Sequence, residues 1–353
     1  MNEIKILGIA NPILRTWASE NHLFSMILLE ENSLEWVYNN YMNLIGYDSP
    51  QHRQNLLAFI PKHNPLDTES PLNAWKACPF LETNLISAND IKASGKNILE
   101  YVFELIENGY YIYLYLDQEY LQTRVKARYH QTFIYGYNKA EQKLYVADHY
   151  KNMKYARSEI GFKQFVEAYN AVQFNLNNSD MQKNSFEKHF LVRAKVKAKK
   201  YEFNITWFRM QLEDYLNAQY SLDCAIHYSF PDTSKIYMGI SSYDLLLDYI
   251  DKILNKNREV NKDWRIFTSI CDHKKIMKMR AIFFQEKGIC EFEQDEIEKY
   301  EELCSSSEIM LNLFLKHKET ENYEYLSRIK VIGKNMKACE KQLLKKLLAK
   351  LNY

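Results

Sequence analysis

The residues with the most chemical content lie in one stretch, Asp117–Asp148. His130 stands just before an alternating run, Gln131–Tyr137, and Asp148 closes a second run that begins at Lys143. The loop Asn138-Lys139-Ala140-Glu141-Gln142 separates them, so the two runs read as an antiparallel hairpin. Pairing the strands about that loop brings His130 and Asp148 to the same end of the hairpin, nearly in register. A carboxylate in that place can accept the ring N–H of a histidine, which fixes the tautomer and raises the basicity of the other nitrogen. That is the base and orienting half of a nucleophilic triad. The alternative is structural: His130 caps a strand and Asp148 opens a turn.

Other candidates carry less. Ser25 falls in an early helical turn and is either an ordinary polar residue or a nucleophile within reach of His130. His22 caps that helix or belongs to the cleft. Cys78, in Ala77-Cys78-Pro79, sits in a loop entering a strand. Asp272, His273 and Arg280 share one long helical pattern, and His273 and Arg280 are seven apart and so share a face. On a bundle such a pattern is more often an ion-paired surface or a satisfied interhelical contact than a site. Cys271, Cys304 and Cys339 occupy apolar positions on separate helices and read as small buried hydrophobes.

Several elements must position these residues. Asn21–Leu44 reads as helical, with Trp36, Val37, Tyr41 and Leu44 as an apolar stripe. Ser49–Pro79 holds five of the seven prolines and reads as an irregular connection. Ser94–Asn108 is an amphipathic helix capped by Ser94, with Ile98, Tyr101, Val102, Leu105 and Ile106 on one face and Asn108-Gly109 closing it. Tyr110–Asp117 is apolar on both faces, as in a strand covered on both sides. Ser158 reads as the cap of a short helix bearing Phe162, Phe165, Val166 and Tyr169. After a polar break at 175–184, Phe186–Ala198 alternates as a last strand. From residue 200 the pattern is helical: Asn204 caps Ile205–Gln219, Ser241 with Asp244 reads as a capping box, and long helices cover about Asn261–Lys287, Glu293–Lys316 and Asn322–Leu351.

Composition excludes several classes. The chain has 353 residues, which suggests two domains. Lys plus Arg (46) nearly equals Asp plus Glu (45), so no basic field for nucleic acid is expected. Nine glycines and no glycine-rich loop argue against a phosphate cradle. The six cysteines show no CxxC spacing, so a structural zinc site is not expected, and the sequence offers no other metal or cofactor site. Met1–Pro12 lacks a signal-peptide pattern, and no apolar run approaches about 18 residues. No membrane span is expected, and a cytoplasmic location with reduced thiols follows.

The block His130-Gln-Thr-Phe-Ile-Tyr-Gly-Tyr137, its polar loop and Leu144-Tyr-Val-Ala-Asp148 resembles the His…Asp hairpin of papain-like folds. It is most similar to the butirosin biosynthesis protein H N-terminal-like family, relatives of bacteriocin-processing cysteine peptidases. Trp36-Val-Tyr-Asn-Asn-Tyr-Met-Asn-Leu44 and Gly109–Leu121 also resemble that family. Tyr237-Met-Gly-Ile-Ser-Ser-Tyr243 and Asp272-His-Lys-Lys-Ile-Met-Lys-Met-Arg280 are similar to its helical C-terminal half. The resemblance implies acyl transfer from an acyl- or peptidyl-carrier protein through a cysteine to a small-molecule amine acceptor. It places that cysteine at the start of the first helix, where Asn21-His-Leu-Phe-Ser-Met-Ile27 has none. Ser25 is the substitute that the sequence offers.

The resulting expectation is an α+β protein, papain-like over 1–200, followed by an all-helical domain over 201–353. Its function is acyl handling in specialised-metabolite biosynthesis, of acyltransferase or amide-forming type, with His130 as base, Asp148 as orienter and Ser25 as nucleophile. Two alternatives stand beside it: a non-catalytic carrier-protein-binding scaffold, and a peptidase, which rests on fold alone.

Overall fold

The structure is a computed structural model and describes residues 2–49, 54–60, 73–121, 129–149, 154–178, 190–219, 235–255 and 260–351. In chain order the elements are β1 (Ile4–Ile6), α1 (Ala18–Ile27), α2 (Ser33–Asn40), β2 (Asn43–Ser49), β3 (Gln54–Ile60), α3 (Asn73–Ala77), β4 (Leu81–Ser87), α4 (Ala88–Ala93) and α5 (Ile98–Glu107). There follow β5 (Tyr111–Asp117), β6 (Tyr129–Asn138), β7 (Lys143–His149), β8 (Tyr155–Gly161), α6 (Phe162–Asn178), β9 (Phe190–Val196) and α7 (Ile205–Asn217). The last are β10 (Lys235–Met238), α8 (Ser242–Leu254), α9 (Arg265–Glu286), α10 (Gln294–Thr320) and α11 (Glu324–Lys350).

These elements form two compact units: Met1–Ser33 with Asp67–Tyr201, and Leu34–Leu66 with Glu202–Tyr353. The junction near residue 200 falls where period-two patterning ends. The segment 34–66, however, belongs with the C-terminal unit.

The first unit is built on an antiparallel sheet in the order β4-β9-β5-β6-β7-β8, with β1 also paired to β6. Its apolar core packs α5 against the sheet through Ile98, Val102, Leu105 and Ile106, which meet Ile112, Leu114, Ile134 and Val146. α5 is as amphipathic as its sequence, but its cap is Asn97, not Ser94: the Asn97 side chain accepts the Glu100 N–H and the Glu100 carboxylate accepts the Asn97 N–H. Ser94 instead ends the short helix α4. Gly109, at φ +80°, turns the chain from α5 into β5, a left-handed backbone conformation that glycine adopts without strain.

β6 and β7 pair Phe133 with Ala147 and Ile134 with Val146, then shift by one residue at a bulge beside Gly136. A Cβ at Gly136 would lie 2.7 Å from the Lys5 carbonyl oxygen of β1, so only glycine lets β1 approach. The expected helix cap Ser158 is instead a residue of β8, and α6 begins at Phe162. α6 also runs through the first part of the expected polar break, to Asn178; residues 179–189 lie outside the described residues.

The second unit is not all-helical, which corrects the expectation. Beside helices α2 and α7–α11 it holds a three-stranded antiparallel sheet in the order β10-β2-β3. β10 pairs Tyr237 with Gly46, and β2 pairs Gly46 with Leu57. The supposed helix 21–44 is two helices followed by the start of β2, and the supposed irregular connection contains β3 and α3. Residues 61–72 and Cys224 lie outside the described residues. Ser241 precedes α8 but does not cap it: its hydroxyl donates to the Met238 carbonyl and accepts the Met238 N–H. No helix among the described residues is long and apolar enough to cross a membrane.

Candidate functional site

β6 and β7 carry His130 and Asp148 to one end of the hairpin. The His130 Nδ1 lies 2.8 Å from Asp148 Oδ2 and 3.1 Å from the Gln131 carbonyl oxygen. Both partners are acceptors only, so Nδ1 carries the proton and Nε2 keeps its lone pair. The His130 side chain is 21% exposed and that of Asp148 2%, so the ring reaches the surface and its orienting carboxylate does not. Asp148 Oδ1 also accepts the His149 backbone N–H at 2.6 Å.

The electrostatics follow from these contacts. Burial pulls the His130 ring down, but the hydrogen bond and negative charge of Asp148, with the Gln131 carbonyl, outweigh it and hold the imidazole above its ordinary value. Burial lifts the Asp148 carboxyl above its ordinary value, with the His130 contacts and the His149 N–H pulling the other way.

Two further histidines surround this pair. His22, on α1, is fully buried; its Nδ1 lies 2.9 Å from Tyr155 Oη, and its ring stacks on Phe133 at 5.2 Å between centroids. Burial pushes it well below its ordinary value, and the charges of His149 and His130 add to this. His149 Nε2 lies 3.0 Å from Asn21 Nδ2 and 3.1 Å from the Arg15 carbonyl oxygen. Burial, reinforced by the His130 charge, pushes it down to about 4 despite the Arg15 contact. Of the three rings, only His130 is held above its ordinary value; His22 and His149 are held below theirs.

Sequence reasoning placed Ser25 within reach of His130, and the structure does not bring them together. Ser25 is fully buried, and its hydroxyl donates to Tyr155 Oη at 3.2 Å. Among the described residues, His130 is hydrogen-bonded to Asp148 and to the Gln131 carbonyl, and not to Ser25. The reason is helical geometry: α1 begins at Ala18, so Ser25 lies two turns in, under the sheet. Cys78 follows α3 and is 2% exposed, and burial pushes its thiol up to about 12, so it holds no thiolate near neutrality.

The second unit places the remaining candidates in its interior. Arg280 Nε donates to the Tyr38 carbonyl at 2.7 Å and Nη2 to the Tyr41 carbonyl at 2.6 Å, so this guanidinium satisfies carbonyls at the C-terminal end of α2. His273 Nε2 donates to the Met42 carbonyl at 3.0 Å, and its ring stacks on Tyr215. Lys274 meets His273 Nδ1 at 2.9 Å and both Glu340 carboxylate oxygens at 2.5 Å, and Tyr243 Oη donates to Glu340 at 2.8 Å. Asp272, His273, Lys274, Arg280 and Glu340 are all buried. His273, Lys274, Arg280 and Glu340 form a hydrogen-bonded polar core that ties α9 to α2 and α11, not a surface ion pair.

The residues that sequence reasoning missed are Asn21, His149 and Tyr155, together with Ser19 and Glu20 on the first turn of α1. Ser19 Oγ donates to Glu20 Oε2 at 2.6 Å, and burial pushes the Glu20 carboxyl up to about 7. The available signal was a hydroxyl next to a carboxylate at a helix entry, which local patterns also explain as capping. No group of histidines, cysteines and carboxylates among the described residues is arranged to hold a metal ion. No protein-family model matches this chain, and no curated protein is significantly similar to it.

Proposed function

We propose that the protein is an acyl-handling enzyme in which His130 acts as general base and Asp148 as its orienting carboxylate. The observation that carries this reading is the 2.8 Å contact from Nδ1 to a buried carboxylate, on a partly exposed ring whose Nε2 has no hydrogen bond among the described residues. That arrangement suits removal of a proton from an attacking hydroxyl, thiol or amine and its return to a leaving group. The resemblance of the hairpin to papain-like folds and to the butirosin H N-terminal-like family supports a carrier-protein thioester as donor and an amine as acceptor. A cytoplasmic place in specialised-metabolite biosynthesis belongs to the same reading.

One observation favours a second reading, a carrier-binding scaffold. Among the described residues no hydroxyl or thiol is hydrogen-bonded to His130 Nε2, and burial pushes the Cys78 thiol up to about 12. Thiol release from an acyl-loaded carrier protein, followed against pH with an amine present, separates the two. An enzyme gives a rate that rises as His130 loses its proton, with a midpoint above the ordinary histidine value of 6.5. Binding of the carrier with no thiol release supports the scaffold. A flat profile with turnover removes His130 as base.

A further inference from the structure

We propose that the exposed face of the α10–α11 hairpin docks on the same face of a second copy of this chain, so that the acidic stripe of α10 meets the basic stripe of α11. The inference is independent of the acyl-transfer reading. Over the whole chain the charges balance, with 46 Lys and Arg against 45 Asp and Glu. On this hairpin they are sorted: α10 carries seven acidic and three basic residues, and α11 carries eight basic and two acidic ones.

Helical spacing puts Glu298, Glu302, Ser305, Ile309 and Asn312 on one stripe of α10, and all five are exposed. The matching exposed stripe of α11 is Val331, Lys334, Ala338, Lys341 and Lys345. The two helices pack antiparallel: a Cβ at Gly333 would lie 3.8 Å from Met310 Sδ, and Glu296 meets Lys346 and Lys350. That register sets Glu302 level with Lys341 and Glu298 level with Lys345. The inward lysines of α11 are paired, Lys330 with Asp251 and Lys337 with Asp244. Among the described residues, Glu302, Lys334, Lys341 and Lys345 take part in no ion pair, and Glu298 accepts only from Gln294 of the preceding turn.

A twofold axis parallel to the two helices joins these stripes. It lays α10 of one copy antiparallel on α11 of the other and keeps residues of equal level opposite one another. Glu298 then faces the partner's Lys345, Glu302 faces the partner's Lys341, and symmetry repeats both pairs. Ile309, 47% exposed, comes within one turn of the partner's Val331, 60% exposed, and both lose water contact. A groove lined by Glu298, Glu301, Glu302, Ser305 and Ser306 gives room for lysine stems. A twofold axis across the helices would instead set α11 on α11, basic against basic, which repulsion disfavours. Helices of 27 residues are about 40 Å long and about 10 Å wide, so the hairpin face covers about 800 Å², the area per partner of a standard interface.

The test is sedimentation equilibrium of the full chain at low salt and at about 0.5 M salt, where the screening length is only a few ångströms. The expected result is a dimer at low salt that weakens as salt is added. Lys341→Glu with Lys345→Glu, and separately Glu298→Lys with Glu302→Lys, should each weaken dimerisation about 10²-fold. Circular dichroism should not change, because all four side chains are exposed. Mixed together, the two double variants should form a one-to-one heterodimer, since each acidic face then meets a basic one. Lys341→Gln with Lys345→Gln should weaken the dimer less, which keeps the test decisive if a charge-reversed chain fails to fold. A monomeric wild type at low salt overturns the proposal and leaves the stripes to solvent or to another partner. A dimer that both double variants keep, or folded variants that do not associate when mixed, overturns it as well.

Discussion

Replacing Asp148 by Asn removes the negative charge facing His130 and keeps the size of the side chain. In the native chain the His130 imidazole is held above its ordinary value because the Asp148 contacts outweigh burial. Without the charge, burial dominates, and the ring should titrate below 6.5. A hydrogen bond to a charged partner contributes about 1.5–3 kcal/mol, and one pKa unit corresponds to about 1.36 kcal/mol, so the midpoint should fall by about one to two units. His130 is partly exposed, which puts the expected shift toward the lower end. The assay is a heteronuclear NMR titration of the histidine rings, with the His130 signals assigned by their loss in His130→Gln. His22 and His149, held low by burial, should remain neutral over the same range. A midpoint for His130 that stays within about 0.3 unit (about 0.4 kcal/mol) of the wild type would refute the electrostatic account of the pair.

Three further outcomes concern the second unit. Glu340→Gln leaves the Lys274 ammonium buried without its anion and should cost about 3–5 kcal/mol, read as faster hydrogen exchange in α9 and α11; Lys274→Met with Glu340→Leu should recover most of it. Arg280→Lys gives up a two-pronged grip on the Tyr38 and Tyr41 carbonyls and should lower stability by about 1–3 kcal/mol in urea unfolding. Gly239→Ala, where φ is +53° and a Cβ would lie 2.3 Å from the Tyr215 carbonyl oxygen, should lower the melting temperature far more than Gly288→Ala, where φ is +64° but the space is open.

The hairpin was legible because loop length and alternation are local properties. The Asn138–Gln142 connection and the runs beside it set the register that joins His130 to Asp148. α5 was legible from its apolar stripe, but its start was misplaced because Ser94 and Asn97 are both good caps and only tertiary packing selects between them. The three-stranded sheet was not legible. β10 is four residues long, and its partner β2 lies almost 200 positions earlier in the chain, so no short window contains the pattern. Arg280 and His273 looked like residues on a solvated or interhelical face because sequence spacing fixes a helix face without saying what covers it. Backbone carbonyls at Tyr38, Tyr41 and Met42 cover it, and they leave no trace in side-chain patterning. The cluster of Asn21, His22, Ser25, His149 and Tyr155 is likewise a product of packing α1 on the sheet. The sequence therefore pointed to the His130–Asp148 contact, whereas the hydrogen bond from Ser25 to Tyr155 depends on how α1 packs on the sheet.

The proposed acyl transfer requires His130 Nε2 to move the proton. Its most direct test is the rate of thiol release from an acyl-pantetheine thioester in the presence of an amine, for the wild type and for His130→Ala with and without added imidazole. The account predicts a loss of about 10²–10⁴-fold in His130→Ala, with part of the rate restored by imidazole. A His130→Ala protein that releases thiol as fast as the wild type would contradict it.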